Sequence, residues 1–150
     1  MAQLKPKTII TNIRIIFSVV LLMPLFLIST SLVIITEPLN SDFTELLFLV
    51  MVGLVVIMLP ICIFISKNIL KKINSDDNTI EKLNKFQSSI FIFMAGCIGC
   101  ANFGAIVFLM TGNIPSLIVA ILCTLASLII LPSTKYITRK TGLKRDEIFQ

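Results

Sequence analysis

Residues 86–131 read FQSSIFIFMAGCIGCANFGAIVFLMTGNIPSLIVAILCTLASLIIL, two apolar runs that meet at Thr111-Gly112-Asn113. No residue in this stretch is charged. Each run approaches the roughly 20 residues that an α-helix needs to cross about 30 Å of hydrocarbon. Gly112 suits a left-handed C′ position, Asn113 an N-cap and Pro115 the following first turn. The stretch therefore predicts two membrane helices joined by a turn so short that they form an antiparallel hairpin.

Small residues recur along both helices of this predicted hairpin. On the first helix, Gly96, Cys100 and Gly104 are spaced four residues apart and form one stripe. The second helix carries a similar stripe of Ser116, Ala120, Thr124 and Ser127. Small residues let helix backbones approach closely in lipid, where van der Waals packing replaces the hydrophobic effect. We therefore predict that the two stripes pack against each other.

Two further apolar runs precede the hairpin, and the composition supports a membrane protein. Hydrophobic residues make up 56% of the chain and charged residues only 14%, which is outside the range of a soluble domain. Four spans leave only about 60 residues for the ends and loops, too few for a soluble domain. We predict a single domain, 1–150, that is an all-α integral membrane protein with four transmembrane helices in two antiparallel hairpins. The spans are expected over about 15–35, 43–66, 86–110 and 114–131.

Capping residues predict where two of the helices begin. Asp42 followed by Glu45 has the N-cap and N3 spacing that satisfies the free N–H groups at the start of span two. Asn78 followed by Glu81 repeats this pattern about eight residues before the third apolar run. Helix three is therefore expected to begin near Thr79 and to project from the membrane on the cytoplasmic side.

The charged residues are divided unequally between alternate loops. All 13 Lys and Arg lie in the head, the middle loop and the tail. The first outer connection carries Glu37, Asp42 and Glu45, and the second carries no charge. The positive-inside rule therefore predicts that both termini and the middle loop are cytoplasmic. Richness in Lys, Ile and Asn together with compact loops favours the cytoplasmic (inner) membrane of a bacterium.

The cations lie just beyond the apolar spans and not along one face of a soluble fold. This placement predicts contact with anionic lipid of the cytoplasmic leaflet and excludes a nucleic-acid interface. The adjacent pairs Lys71-Lys72 and Lys144-Arg145 are shorter than the clusters of four to eight cations that mark a lipid head-group site. The sequence therefore assigns these cations the role of orienting the protein.

Cys97-Ile98-Gly99-Cys100 has a C-x-x-C spacing. With four helices, this tetrapeptide resembles membrane proteins that pass electrons between thiols and quinones, including the vitamin K epoxide reductase family and bacterial disulfide-generating proteins. The resemblance implies a membrane thiol oxidoreductase that uses Cys97 and Cys100, together with an accessible relay pair in an outer loop. Both outer loops of this chain lack cysteine. The apolar setting itself favours packing, since buried cysteine behaves as a small hydrophobic residue.

Residue types that support membrane chemistry are missing from the spans. The chain has no His, and no Lys, Arg, Asp or Glu lies deep in a span. Asn102 is the only deep amide, and we predict for it an interhelical hydrogen bond. We accordingly expect no enzymatic activity, no cofactor and no metal site.

The sequence leaves three functions open. The first is a non-catalytic integral membrane subunit or assembly and accessory protein that packs against other membrane helices. The second is a small transporter or channel formed by self-association, because four helices without a polar interior cannot enclose a solvated path alone. The thiol oxidoreductase that uses Cys97 and Cys100 is the third alternative.

Cysteine labelling tests the predicted orientation. Ser41→Cys and Asn113→Cys should react with a membrane-impermeant thiol reagent applied to intact cells, because both positions are expected in outer connections. Ser75→Cys and Thr141→Cys should react only after lysis. The parent chain is the control, since its four cysteines all lie inside the apolar runs. Labelling of Ser75→Cys in intact cells would reverse the orientation.

Overall fold

The computed structural model describes residues 6–34, 41–74, 76–130 and 132–144, apart from the side chains of residues 41 and 42. This part of the chain is helical and contains no strand, as the sequence predicts. The five helices are α1 (Pro6–Val33), α2 (Ser41–Lys71), α3 (Thr79–Thr111), α4 (Ile114–Ile129) and α5 (Thr134–Thr141). Predictions that rest on Lys5, Glu37, Ser75, Leu131 and Arg145 fall outside the described residues.

Three of the helices, α1, α2 and α3, are long and apolar enough to cross a membrane by themselves. Helix α4 has 16 residues. It therefore rises about 24 Å, which is less than the roughly 30 Å of a hydrocarbon layer. Helices α4 and α5 qualify together as one span that bends by 70°. The predicted all-helical fold is confirmed, with three candidate membrane-spanning helices and a fourth if α4 and α5 form one bent span.

Helix α3 is the central element of the bundle. The main neighbours of α3 are α2, α4, α1 and α5, whereas α1 packs mainly on α3 and α4, and α2 mainly on α3. Helices α3 and α4 pack along their lengths, as their short connection predicts. Helices α1 and α2 are not main neighbours of each other in the described part of the chain, so the first predicted hairpin is not confirmed. Helix α2 approaches α3 at Gly96, whereas α1 packs on large apolar residues of α3 such as Phe86 and Met94.

The basic end of the bundle contains an apolar core. Ile13 of α1, Phe86 of α3 and Ile137 of α5 are each fully buried there. The rings of Phe86 and Tyr136 lie 5.9 Å apart between centroids, and this contact holds α5 against α3. Helix α1 begins at Pro6, well before the predicted span start near residue 15, because its first turns cover the projecting part of α3. The buried members of this cluster are Ile9, Ile10, Ile13, Phe17, Leu83, Phe86, Ile90, Met94, Ile98, Ile137 and Leu143.

The predicted caps of α3 are confirmed. Asn78 has extended backbone geometry, and its Oδ1 accepts a hydrogen bond from the Glu81 N–H at 2.8 Å. At the other end, Gly112 adopts a left-handed φ of 66°, and its N–H donates to the Phe108 carbonyl at 2.7 Å. A side chain in this conformation would be strained, so glycine is suited to ending the helix here.

Asn113 is the N-cap residue of α4, as predicted, with extended backbone and Pro115 in the first turn of the helix, but its side chain accepts no capping hydrogen bond. Its own N–H donates to Thr111 Oγ1 at 3.2 Å. The cap prediction for α2 is wrong. Helix α2 begins at Ser41, one residue before the predicted cap Asp42, so Asp42 is already helical. The Asp42 side chain lies outside the described atoms.

Lys85 fixes the connection between α2 and α3. Its ammonium group donates to Asp77 Oδ2 at 2.7 Å and to the Lys72 carbonyl at 3.1 Å, and it pairs with Glu81 at 3.0 Å. Asp77 Oδ2 also accepts from the Asn74 N–H at 2.9 Å. The hydrogen bond to Asp77 raises the pKa of Lys85, and the same bond lowers the pKa of Asp77. Both groups therefore stay charged at neutral pH, and the end of α2 stays linked to the first turns of α3.

Candidate functional site: the junction of helices α2, α3 and α4

The four cysteines meet where α2, α3 and α4 pack together, a region called here the three-helix junction. Cys62 comes from α2, Cys97 and Cys100 from α3, and Cys123 from α4, and all four are buried free thiols. Cys100 and Cys123 belong to one buried cluster with Ala101, against which side chains of α2 and α4 pack. Interior small residues on three helices therefore converge at one place.

Gly104 brings α3 and α4 into close contact. A Cβ atom added at Gly104 would lie 3.0 Å from the Ser116 carbonyl oxygen and 3.3 Å from the Ala120 Cβ. Ser116 and Ala120 are both fully buried. The structure therefore places these three residues of the predicted stripes against one another, and the contact is made directly with the α4 backbone.

Gly96 lies against α2 and not against α4, contrary to the prediction of a single α3–α4 stripe. A Cβ atom added at Gly96 would approach Cys62 Sγ to 2.7 Å and Cys62 Cβ to 2.8 Å. The reason is the helix period, because residues spaced four apart rotate by about 40° per step around the axis. Between Gly96 and Gly104 the stripe turns by about 80° and passes from α2 to α4. Cys100 lies between the two contacts.

The remaining polar members of the α4 stripe are buried and satisfied within their own helix. Thr124 Oγ1 donates to the Ala120 carbonyl at 2.8 Å, and Ser127 Oγ donates to the Thr124 carbonyl at 2.6 Å. Ser116 Oγ differs from these two, since it is buried without a hydrogen-bond partner among the described residues. Thr124 and Ser127 therefore act at the junction as small packing residues, because their hydroxyl protons are already engaged.

A serine pair between α2 and α3 was not anticipated from the sequence. Ser89 Oγ donates to the Ser66 carbonyl at 3.0 Å, which leaves the Ser89 oxygen free to accept the Ser66 hydroxyl at 2.7 Å. Both residues are buried. Ser66 lies near the end of the second apolar run and Ser89 near the start of the third, both close to the lysines of the middle loop. In antiparallel helices these two positions lie at a similar depth, and this is the sequence signal that could have suggested the contact.

The geometry of the four thiols favours packing over chemistry. Cys97 and Cys100 are each only 1% exposed, so an exchanging thiol of another protein has no access to them. Within the described ranges, no three Cys, Asp or Glu side chains are grouped closely enough to hold a metal ion. The thiols fill space between helices that approach closely, as expected of small apolar side chains.

Asn102 lies on another side of α3. Two residues before Gly104, it points about 200° away from the α4 contact. The residue is half-buried, but its Oδ1 atom is itself buried and accepts no hydrogen bond from any described residue. The predicted interhelical hydrogen bond to this oxygen is therefore not made inside the described bundle.

No known protein family matches this chain, and no curated protein or solved structure is significantly similar to it. A function for the chain therefore rests on the chemistry and geometry of its own residues.

Alanine substitution of the glycines tests the close contacts. Gly104→Ala and Gly96→Ala should each lower the free energy of unfolding by about 1 to 3 kcal/mol, because a neighbouring helix must shift to admit the methyl group. The control is Gly99→Ala on the same helix, where a Cβ meets nothing within 4 Å. That variant should match the parent or exceed it slightly. Thermal unfolding in detergent measures the difference, and equal stability of all three variants would contradict close packing.

The cysteine pair can be tested in the same way. A Cys97→Ala, Cys100→Ala double variant should assemble like the parent, with a stability loss of about 1 kcal/mol from the two missing sulfur atoms. Mass spectrometry of alkylated protein, with and without prior reduction, should find both thiols free in the parent. A disulfide in protein isolated under thiol trapping would instead support the membrane oxidoreductase.

Proposed function

We propose that this chain is a non-catalytic integral membrane subunit or accessory protein that associates with a helix of another membrane protein. The observation that carries the proposal is the partly exposed amide of Asn102, whose Oδ1 is buried without a hydrogen-bond partner among the described residues. An amide without a partner is costly in hydrocarbon, where water cannot replace the missing hydrogen bond. A helix of another protein packed beside Asn102 would provide the partner once the amide group turns its oxygen outward, since amides act as polar contacts between membrane helices.

Asn102 belongs to an exposed stripe along α3, called here the free face of α3. Its members are spaced by three or four residues and so share one side of the helix. They are Ala95, Gly99, Asn102, Ile106 and Met110, of which all but the half-buried Asn102 are exposed. Ala95 and Gly99 form a small-x-x-x-small pair that permits close backbone approach. A Cβ added at Gly99 meets nothing within 4 Å, so this face is open.

The packing of the bundle explains why this face is open. Helices α1 and α2 both pack on α3 but are not main neighbours of each other. Gly96 marks the α2 side of α3 and Gly104 the α4 side, while the free face points away from the α4 contact. A partner helix would lie against α3 between α1 and α2, and would contact the exposed apolar surface of α2 as well. Exposed apolar residues of α2 include Leu46, Leu49, Val50, Val56, Ile57 and Phe64.

The orientation we propose is that of a bacterial inner-membrane protein with both termini in the cytoplasm. Its support is the clustering of basic residues at one end of the bundle. Arg14, near the start of α1, donates to the Pro132 carbonyl at 3.2 Å and to Thr134 Oγ1 at 2.8 Å, beyond the end of α4. Lys85 of α3 likewise reaches the carbonyl of Lys72 after α2. Gathering cations at one end is what the positive-inside rule requires of a cytoplasmic surface.

A small homo-oligomeric transporter or channel is the second candidate, and the same free face would serve it. The occupant of the face would then be a second copy of the chain. The packed three-helix junction argues against a solute path through one copy, because small side chains fill it.

Two variants of the free face test the proposal in mild detergent. Parent protein purified from cells should elute with a fixed set of other membrane proteins in constant ratio. Gly99→Leu should release them because its side chain blocks the close approach, and Asn102→Leu should weaken retention about tenfold because the polar contact is lost. Leu122→Phe is the control, since Leu122 is 58% exposed on α4 and lies on neither of the surfaces proposed for the partner.

The outcomes separate the two candidates. Retention of the partners by Leu122→Phe, with loss in both α3 variants, supports the accessory subunit. A closed oligomer of this chain alone, disrupted by Gly99→Leu, supports the channel or transporter. Purification of the parent as a monomer without partners would contradict both.

A further inference from the structure

Four cations from distant parts of the chain line one surface pocket at the basic end of the bundle. Lys67 and Lys71 come from the last two turns of α2, and Arg139 and Lys140 from the last turn of α5. Leu70 completes the lining, and the pocket has a volume of about 360 Å³. The sequence shows only adjacent pairs of cations, so this cluster exists because α5 folds back beside the end of α2.

Helix α5 is held firmly enough to maintain the cluster. Its first turn is capped by Ser133, whose Oγ accepts the Tyr136 N–H at 3.2 Å. Ile137 is fully buried against the bundle, whereas Arg139 and Lys140 are both exposed. Gly142 ends the helix with a left-handed φ of 70°. The Lys140 ammonium lies over the Tyr136 ring at 6.0 Å, a contact that fixes its position without neutralising its charge.

The pocket carries uncompensated positive charge. None of its lining residues is acidic. Within the described ranges, no ion pair joins any of the four cations to a carboxylate, whereas Lys85 on α3 has two such pairs. Four like charges around one concave surface repel one another and create a potential that attracts a multivalent anion. The pocket therefore favours an anion that the described part of the chain does not supply.

We propose that this pocket binds the head group of an anionic phospholipid that carries two phosphate groups. Each phosphate would be held by one cation from α2 and one from α5, with Arg139 able to donate two parallel hydrogen bonds. The volume of the pocket is within the range of about 300 to 1,000 Å³ that is usual for ligand pockets. Its position also fits a lipid, since basic pockets at the cytoplasmic ends of membrane helices bind such head groups.

A membrane lipid fits the pocket better than a soluble phosphate compound. The pocket lies at the end of α2, whose outer surface is apolar toward the membrane, with Phe64 66% exposed and Ile65 41% exposed. Acyl chains attached to a head group in the pocket would extend along this surface. Leu70 adds an apolar contact within the pocket itself. This site is separate from the free face of α3, so its test does not depend on the identity of a partner protein.

Binding to purified full-length protein tests the site. Three probes are used. Cardiolipin carries two phosphates, and phosphatidylglycerol, which carries one, is added at twice the concentration so that the number of phosphates is equal. Inorganic pyrophosphate is the soluble diphosphate. Native mass spectrometry should show the parent retaining cardiolipin in preference to phosphatidylglycerol. A Lys71→Gln, Arg139→Gln variant should bind cardiolipin roughly tenfold to thirtyfold more weakly, as expected for two cations at an anionic surface.

The control removes the same charge from the same end of the bundle. Lys7→Gln with Lys135→Gln changes two exposed cations that do not line the pocket, and it should stay within about twofold of the parent. Lys71→Arg with Arg139→Lys keeps the charge and should retain most of the binding, which separates charge from a folding defect.

Three results would overturn the proposal. Equal losses in the pocket variant and the control would mean that binding reflects general surface charge. Equal binding of phosphatidylglycerol at matched phosphate would remove the preference for two phosphates on one lipid. Displacement of cardiolipin by an equal concentration of pyrophosphate would identify the ligand as a soluble phosphate compound.

Discussion

The bundle depends on how closely α2 and α4 can approach the backbone of α3. In a membrane, apolar side chains gain little by leaving lipid for a protein interior, so helix association relies on close van der Waals contact. Gly96 provides this contact toward Cys62 of α2, and Gly104 provides it toward Ser116 of α4. The reciprocal hydrogen bonds of Ser66 and Ser89 add a polar contact on the α2 side. Helix α3 therefore organises the fold, and the other helices are placed by what α3 allows.

Local chemistry explains which parts of the fold were predictable. The Asn78 cap, the helix start at Thr79 and the left-handed Gly112 depend on neighbouring residues, and the structure confirms each of them. The partner of Gly96 was not predictable in this way, because it depends on the rotation of a four-residue spacing around a 3.6-residue helix and on where α2 lies. Helix α5 was missed because it is short and carries cations, although the Ser133 cap, the buried Ile137 and the terminal Gly142 all mark it.

The candidate sites were predictable to a smaller extent. Asn102 was identified by its residue type, but its neighbours Ala95 and Gly99 gain meaning only once α1 and α2 are seen to leave that side of α3 open. The basic pocket was hidden for a different reason. Lys71 and Arg139 are far apart in the sequence, and only the fold-back of α5 places them together. Both surfaces thus depend on how the helices pack in three dimensions, and the spacing of residues along the sequence does not reveal that packing.

The two proposed binding surfaces also lie in different physical environments. The free face of α3 would lie within the hydrocarbon, where an unpaired amide is costly and where we propose that the partner is another helix. The pocket between α2 and α5 lies beyond the apolar part of α2, where salt and water weaken each charge and several cations must act together. A head group bound there would tie the end of α2 to α5, and α5 is already packed on α3 through the Phe86 and Tyr136 rings. Lipid binding would therefore keep α2 in place beside the free face of α3. It would also keep open the space between α1 and α2 in which we propose that a partner helix packs.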